Sequence, residues 1–258
     1  MFDKIKYGNL LKSIAEYLKL TLDSFGKLSF KGGFLMITKE QLAKLIDHTL
    51  LKPTATFDDI DKLCEEAKKY GFYLVCVSPC YVSYAVQKLS GSDVKVGTTV
   101  GFPLGASSPE VKVFETRKAV EAGAFEVDMV INLGYLKSGD YYAVKEDIEG
   151  VVRAAKEANP GTIVKVIIET CYLTENEKVT AVKLCMDAKA DFVKTSTGFG
   201  PGGATVEDVR LISKLVEGKM GIKASGGIRD LRTALQMLDA GATRIGTSSG
   251  VAIMEEFK

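Results

Sequence analysis

Four charged residues stand where buried strands should be apolar. Asp128, Lys165, Lys194 and Lys223 each fall inside a short run of β-branched and apolar residues. A parallel strand covered on both faces is normally a near-continuous apolar run, so a lysine there loses hydration unless something pairs with it. Burial and a neighbouring positive charge both favour the neutral amine. A neutral amine attacks carbonyls, which makes Lys194 a candidate Schiff-base nucleophile. Lys223, in a strand that also ends in a glycine-rich turn, is the second amine. Two ammonium groups placed close together do not both stay protonated cheaply, so one of them should titrate low. Blander readings stand beside this one. A strand lysine can sit at a rim or pair with a carboxylate such as Glu169 or Asp128. For Lys165 a structural pairing is the expectation, and for Asp128 an ion pair and proton transfer both remain open.

Glycine-rich segments form a second constellation. Thr197-Gly198 with Gly200, Gly202 and Gly203 follows the Lys194 run. Ser225-Gly226-Gly227 follows the Lys223 run, and Gly246-Thr-Ser248-Ser249-Gly250 comes last. Exposed backbone N–H groups and serine hydroxyls can cradle a phosphate. Tight turns also need glycine, but adjacent loops carrying Gly-Gly and Ser-Ser together favour an anion site.

The elements that must position these residues alternate from residue 38 onward. Thr38 opens a short helix through about Ile46, and Asp47–Leu51 reads as a strand. Thr56 with Asp59, and Thr174 with Glu177, have the spacing of a capping box. Strands are expected at Tyr73–Ser78, Val94–Gly101, Phe125–Asn132, Thr162–Glu169, Ala190–Lys194, Gly221–Ser225 and Thr243–Ser249, each followed by a helix. Eight such units in about 220 residues imply an α/β fold with a parallel sheet closed into a (β/α)8 TIM barrel. Chemistry in that architecture sits at the C-terminal ends of the strands. Side chains alternate along a strand, so an inward Lys194 takes Phe192 and Ser196 with it, and an inward Asp128 takes Val130 and Asn132. No GxGxxG follows the first strand, which weighs against a dinucleotide fold.

Residues 1–37 precede this rhythm. Ile5, Leu10, Leu11, Ile14, Leu18 and Leu22 recur at helical spacing, so the expected domains are an N-terminal helical extension, 1–37, and a barrel, 38–258. The extension is expected to dock on the barrel or on a neighbouring subunit.

Bulk properties exclude several classes. With 258 residues, 46% of them hydrophobic, the chain can bury a large core. A net charge of +1 offers no footprint for nucleic acid or an anionic membrane. Five scattered cysteines without a CxxC pair suggest a reducing cytoplasm. A single histidine, His48, excludes a His-rich zinc site, so no metal is expected. No run of about 20 apolar residues is present, so nothing is expected to span a membrane.

The motifs Val100-Gly-Phe-Pro-Leu-Gly105, Glu126-Val-Asp-Met-Val-Ile-Asn132, Lys165-Val-Ile-Ile-Glu-Thr170, Phe192-Val-Lys-Thr-Ser-Thr-Gly198, Lys223-Ala-Ser-Gly-Gly-Ile-Arg229 and Gly246-Thr-Ser-Ser249 resemble, in order and spacing, those of the deoxyribose-phosphate aldolases. The resemblance runs from about residue 38 to 255. It implies reversible cleavage of 2-deoxy-D-ribose 5-phosphate to D-glyceraldehyde 3-phosphate and acetaldehyde without a cofactor. It implies Lys194 as the imine-forming residue, Lys223 as the amine that lowers its pKa, and Asp128 in a proton relay. It places Asp47, Cys76, Lys165 and Thr197 near the substrate, and Gly198, Gly226, Gly227, Ser248 and Ser249 around its phosphate. A homo-oligomer, dimer or tetramer, is expected. Two other readings use the same loops: a phosphosugar isomerase, which needs no imine, and a phosphosugar-binding protein without turnover.

Overall fold

Most helix starts among the described residues are set by short polar side chains. The computed structural model describes residues 37–257. Thr38, Thr56 and Thr174 each accept a hydrogen bond from the backbone N–H three residues on, and Gln41, Asp59 and Glu177 accept one in return from the cap's own N–H. Such reciprocal boxes satisfy donors that a first helical turn leaves unpaired. Asp140, Thr205 and Asp230 cap three further helices through their side chains. Pro109 begins another, at a position where a missing N–H costs nothing.

In chain order the elements are α1 (Lys39–Ala43), β1 (Ile46–Leu50), α2 (Phe57–Tyr70), β2 (Leu74–Val77), α3 (Val82–Lys88), β3 (Lys95–Val100), α4 (Pro109–Glu121), β4 (Glu126–Val130), α5 (Leu133–Lys137), α6 (Tyr141–Ala158), β5 (Ile163–Ile167), α7 (Glu175–Asp187), β6 (Phe192–Lys194), α8 (Val206–Val216), β7 (Gly221–Ser225), α9 (Leu231–Asp239), β8 (Arg244–Thr247) and α10 (Gly250–Glu256). The strands pair in sequence order, all parallel, and β8 closes on β1. This is the (β/α)8 barrel that the alternation implies. Its register sets Asp128 beside Lys165, Lys194 beside Lys223, and Lys223 beside Arg244.

The sheet's two faces are both buried but differ in chemistry. Val75, Val77, Val127, Met129, Val166, Val193, Ile222 and Ile245 join the helices in one apolar cluster. On α2 the matching face is Ile60, Leu63, Cys64 and Ala67. Burying each large aliphatic side chain of this layer contributes about 1.5–3 kcal/mol relative to exposure. The alternate strand positions face the barrel axis, and there Asp47, Glu126, Asp128, Lys165, Lys194, Lys223 and Arg244 are all buried.

Some boundaries differ from the sequence reading. Helix α1 ends at Ala43, and Ile46 already belongs to β1. Strand β8 stops at Thr247, which leaves Ser248 and Ser249 in the loop beyond it. The short helix α5 was not expected. Asn132 Oδ1 accepts the Tyr135 N–H at 3.1 Å, so Asn132 caps α5 instead of following Asp128 and Val130 inward. A short polar side chain at a helix start finds its donor locally, and that outcompetes strand alternation. The helix expected in the first 25 residues lies outside the described residues. Of the expected extension only Ile37 is described, and it packs against the core. Among the described residues no helix is long and apolar enough to cross a membrane.

Candidate active site

Strand β4 carries Asp128 to the centre of the barrel, where its carboxylate accepts from three lysines. Lys165 Nζ donates to Oδ1 at 2.8 Å. Lys194 Nζ and Lys223 Nζ both donate to Oδ2, at 2.8 and 2.7 Å. Two bonds to one oxygen put the two nitrogens within 5.5 Å of each other. Gly246 makes room for this, since a Cβ there would come 2.8 Å from Lys223 Cε.

Beneath them lies a layer of ion pairs. Lys165 also meets Glu126, and Asp47 at 3.7 Å. Lys223 reaches Asp47 Oδ2 at 2.5 Å, and Arg244 Nη1 donates to Asp47 Oδ1 at 2.8 Å. Arg244 also lies 3.2 Å from Glu126 and stacks over Tyr73, 3.8 Å from the ring centre.

The cluster therefore holds four bases, Lys165, Lys194, Lys223 and Arg244, against three carboxylates, Asp47, Glu126 and Asp128. If every group were ionised, one positive charge would be left over in a low-dielectric interior. Among the described residues Lys165 contacts three carboxylates and Lys223 two, whereas Lys194 contacts only Asp128. The least compensated base should lose its proton first.

The titration directions agree. Burial pushes the Lys194 amine down, Asp128 pulls it back up and Lys223 pushes it down again, and the balance is below the usual lysine value. For Lys223 burial acts the same way, but Asp128 and Asp47 outweigh it and the ammonium is favoured. Lys165 and Arg244 are likewise held protonated by their carboxylates against the penalty of burial. Burial would raise the Asp128 carboxyl, yet the three lysines overcome that and hold it well below the ordinary range. Asp47 is lowered in the same way by Lys223 and Arg244. Burial is thus the largest cause of the Lys194 shift, and the second amine contributes after it.

The remaining sequence candidates fall into two groups. Cys76 is buried near these amines, and burial, with Asp128 adding, pushes its thiol up to about 11. At neutral pH it is a small apolar wall. Lys165 and Thr197 are drawn to the site, where carboxylates take up their polar groups. Lys165 is enclosed by its three carboxylates, and the Thr197 N–H and hydroxyl both go to the Glu169 carboxylate. In this geometry both are held by carboxylates of the protein itself.

The three glycine-rich loops lie together beyond the C-terminal ends of β6, β7 and β8. Gly198 and Gly226 both take the left-handed conformation, φ 85° and 83°, and a Cβ on Gly198 would lie 3.9 Å from Gly226 Cα. Thr247 Oγ1 donates to Ile228 O at 2.7 Å and accepts the Ser249 N–H at 2.9 Å, which ties the last two loops. Gly198, Gly227 and Ser248 are exposed, and Gly226 and Ser249 half-buried. The arrangement offers a buried amine below and an open rim of backbone and hydroxyl groups above.

Sequence reasoning missed Glu126 and Arg244 as parts of this site, and it offered Glu169 as a partner for a strand lysine, whereas Glu169 accepts from Thr197 instead. Glu126 could have been found, because it lies two residues before Asp128 and so shares its face. Arg244 alternates with Gly246 in the same way. The Thr197 partner of Glu169 carried no such signal, since Glu169 lies beyond the end of β5.

Comparison with known proteins gives a consistent picture. The family model described as DeoC/LacD family aldolase matches residues 41–256. A deoxyribose-phosphate aldolase of Carboxydothermus hydrogenoformans is 60% identical over 220 residues, 85% of this chain and 96% of its own. One from Thermococcus gammatolerans is 64% identical over 216 residues, 83% of this chain and 95% of its own. Among solved structures, a deoxyribose phosphate aldolase from Aeropyrum pernix, described as tetrameric, superimposes with a TM-score of 0.78 at 40% identity, covering 85% of this chain and 92% of that one. With a matching family model over most of its length and relatives at this identity, the chain belongs to the DeoC/LacD family of aldolases.

Proposed function

We propose that this protein is a deoxyribose-phosphate aldolase that reversibly cleaves 2-deoxy-D-ribose 5-phosphate to D-glyceraldehyde 3-phosphate and acetaldehyde through an imine on Lys194. The observation that carries the residue assignment is the shared oxygen. Lys194 and Lys223 both bond Asp128 Oδ2, and only Lys194 has its pKa lowered. The pair is thereby split into one nucleophile and one cation.

In the cleavage direction the neutral Lys194 amine adds to C1 of the open-chain aldehyde, and loss of water gives an iminium. Removal of the C3 hydroxyl proton lets the C2–C3 electron pair move into the iminium. Glyceraldehyde 3-phosphate leaves, and an enamine remains on Lys194. Protonation at C2 and hydrolysis release acetaldehyde and restore the amine. Asp128 and Lys223 are the groups beside Lys194 that can hold or pass these protons, directly or through water. Lys165, Asp47, Glu126 and Arg244 fix Asp128 and Lys223 from below. In this reading the phosphate rests against Gly198, Gly226, Gly227, Ser248 and Ser249, where the rim is open.

Incubation with acetaldehyde and borohydride should add one ethyl group at Lys194, read by peptide mass mapping. Labelling that survives in Lys194→Ala would reject the assignment. Turnover that is insensitive to borohydride would point instead to an isomerase on the same loops. Catalysis is assigned to residues 38–258, so removing the first 37 should leave labelling intact. The family neighbour described as tetrameric supports a homo-oligomer, dimer or tetramer, which light scattering would measure. All five cysteines are free thiols, which supports a reducing cytoplasm.

A further inference from the structure

The loop that follows β6 carries Gly198, and four of its seven residues from Thr197 to Gly203 are glycine. Such a loop has much conformational freedom to lose, so something must hold it. Glu169, just past β5, is placed to do so. Its backbone is left-handed, φ 50° and ψ 66°, an uncommon state for a residue with a side chain and one that clusters at functional sites. Its carboxylate is buried, 2% exposed, and among the described residues no lysine or arginine is paired with it.

A buried carboxylate without a cation needs donors. Thr197 supplies them, with its N–H at 3.1 and 3.2 Å from the two oxygens and its hydroxyl on Oε2. Cys171 Sγ adds a weaker contact at 3.8 Å. Thr197 Oγ1 in turn accepts the Phe199 N–H at 3.0 Å, so the anchor extends past Gly198. Further along, the loop presses on the same turn. A Cβ on Gly200 would come 3.0 Å from Cys171 Sγ, and one on Gly202 2.9 Å from Cys171 Cβ. On the other flank the Ala204 N–H donates to Ser225 O and Gly226 O, each at 3.0 Å.

We propose that Glu169 is a positioning residue for phosphate recognition: by binding Thr197 it fixes Gly198 against Gly226 and so sets the spacing of the anion-binding rim. The inference rests on the aldolase reading above. Lys194 has separate support, from the Ile168 N–H on its carbonyl at 3.0 Å and from Asp128 on its side chain. Loosening Glu169 should therefore weaken phosphate recognition and spare the imine.

The test compares kcat/KM for 2-deoxyribose 5-phosphate and for unphosphorylated 2-deoxyribose. In Glu169→Ala the preference for the phosphorylated sugar should fall about tenfold or more, the loss of one charge-assisted anchor. The loss should appear mainly in KM, with acetaldehyde–borohydride labelling of Lys194 retained. Thr197→Val, which removes only the hydroxyl, should move the preference the same way, and Thr197→Ser should restore most of it. Should Glu169→Ala fail to fold, the valine and serine pair carries the comparison. An unchanged preference, or an equal loss on both sugars, would overturn the proposal while labelling at Lys194 left the aldolase reading standing. Absence of labelling in the unsubstituted protein would remove that reading, and the inference with it.

Discussion

Replacing Lys223 with methionine removes a positive charge next to the nucleophile and keeps most of the side-chain volume. The two nitrogens lie within 5.5 Å. Two unit charges at that separation interact by at least about 3 kcal/mol at an effective dielectric of about 20, which corresponds to about two pH units. The sign follows from which form is penalised. A neighbouring cation disfavours the Lys194 ammonium, so its loss raises the Lys194 pKa. The charge count agrees, because removing one base leaves three bases facing three carboxylates, and a protonated Lys194 then balances the cluster. At pH 7 the neutral fraction of Lys194 should fall by up to about 100-fold. The assay is the initial rate of borohydride-trapped imine with acetaldehyde, followed from pH 6 to 10. Its midpoint should move up by about two pH units in Lys223→Met, and the rate should recover toward the parent value at the alkaline end. That recovery separates a titration effect from general damage. A midpoint that stays put or moves down would refute the reasoning, and a rate that stays low at pH 10 would make Lys223 more than a source of charge.

Two further outcomes follow from buried groups away from the reaction. Lys112 is fully buried, donates to Val130 O at 2.9 Å and pairs with Asp147. Lys112→Met strands the carboxylate and should cost about 3–5 kcal/mol in urea unfolding, whereas the double variant Lys112→Met with Asp147→Leu should recover most of it; equal losses in both would contradict the ion-pair account. His48 is the single histidine of the chain, and burial lowers its pKa from 6.5 against the pull of Glu66. Its proton NMR titration should therefore have a midpoint below 6.5. The fold favours the neutral ring, so this residue's contribution to stability is complete above the unfolded value and is lost as pH falls toward the folded one; a midpoint at or above 6.5 would count against the packing described.

Much of this protein can be read from its residues alone. Capping boxes at Thr56 and Thr174 and apolar runs such as Thr162–Ile168 are local signals, and local physics fixes them whatever the rest of the chain does. Their alternation, repeated eight times, leaves few topologies other than a closed parallel barrel. Lysines in such strands are anomalous in any context, so Lys194 and Lys223 stand out before folding is considered. What no local signal holds is which of them loses its proton. That depends on a sum of Coulomb interactions and desolvation over seven groups brought in by six strands. Asp47 and Arg244, for instance, are 197 residues apart in sequence and 2.8 Å apart in space. The same holds for Glu169, whose partner Thr197 belongs to the next strand's loop and whose left-handed backbone leaves no mark in its neighbours. The chain's own letters name the amines, and closure of the barrel decides their charges, because an ionisation state is set by distances that exist only once the strands have met.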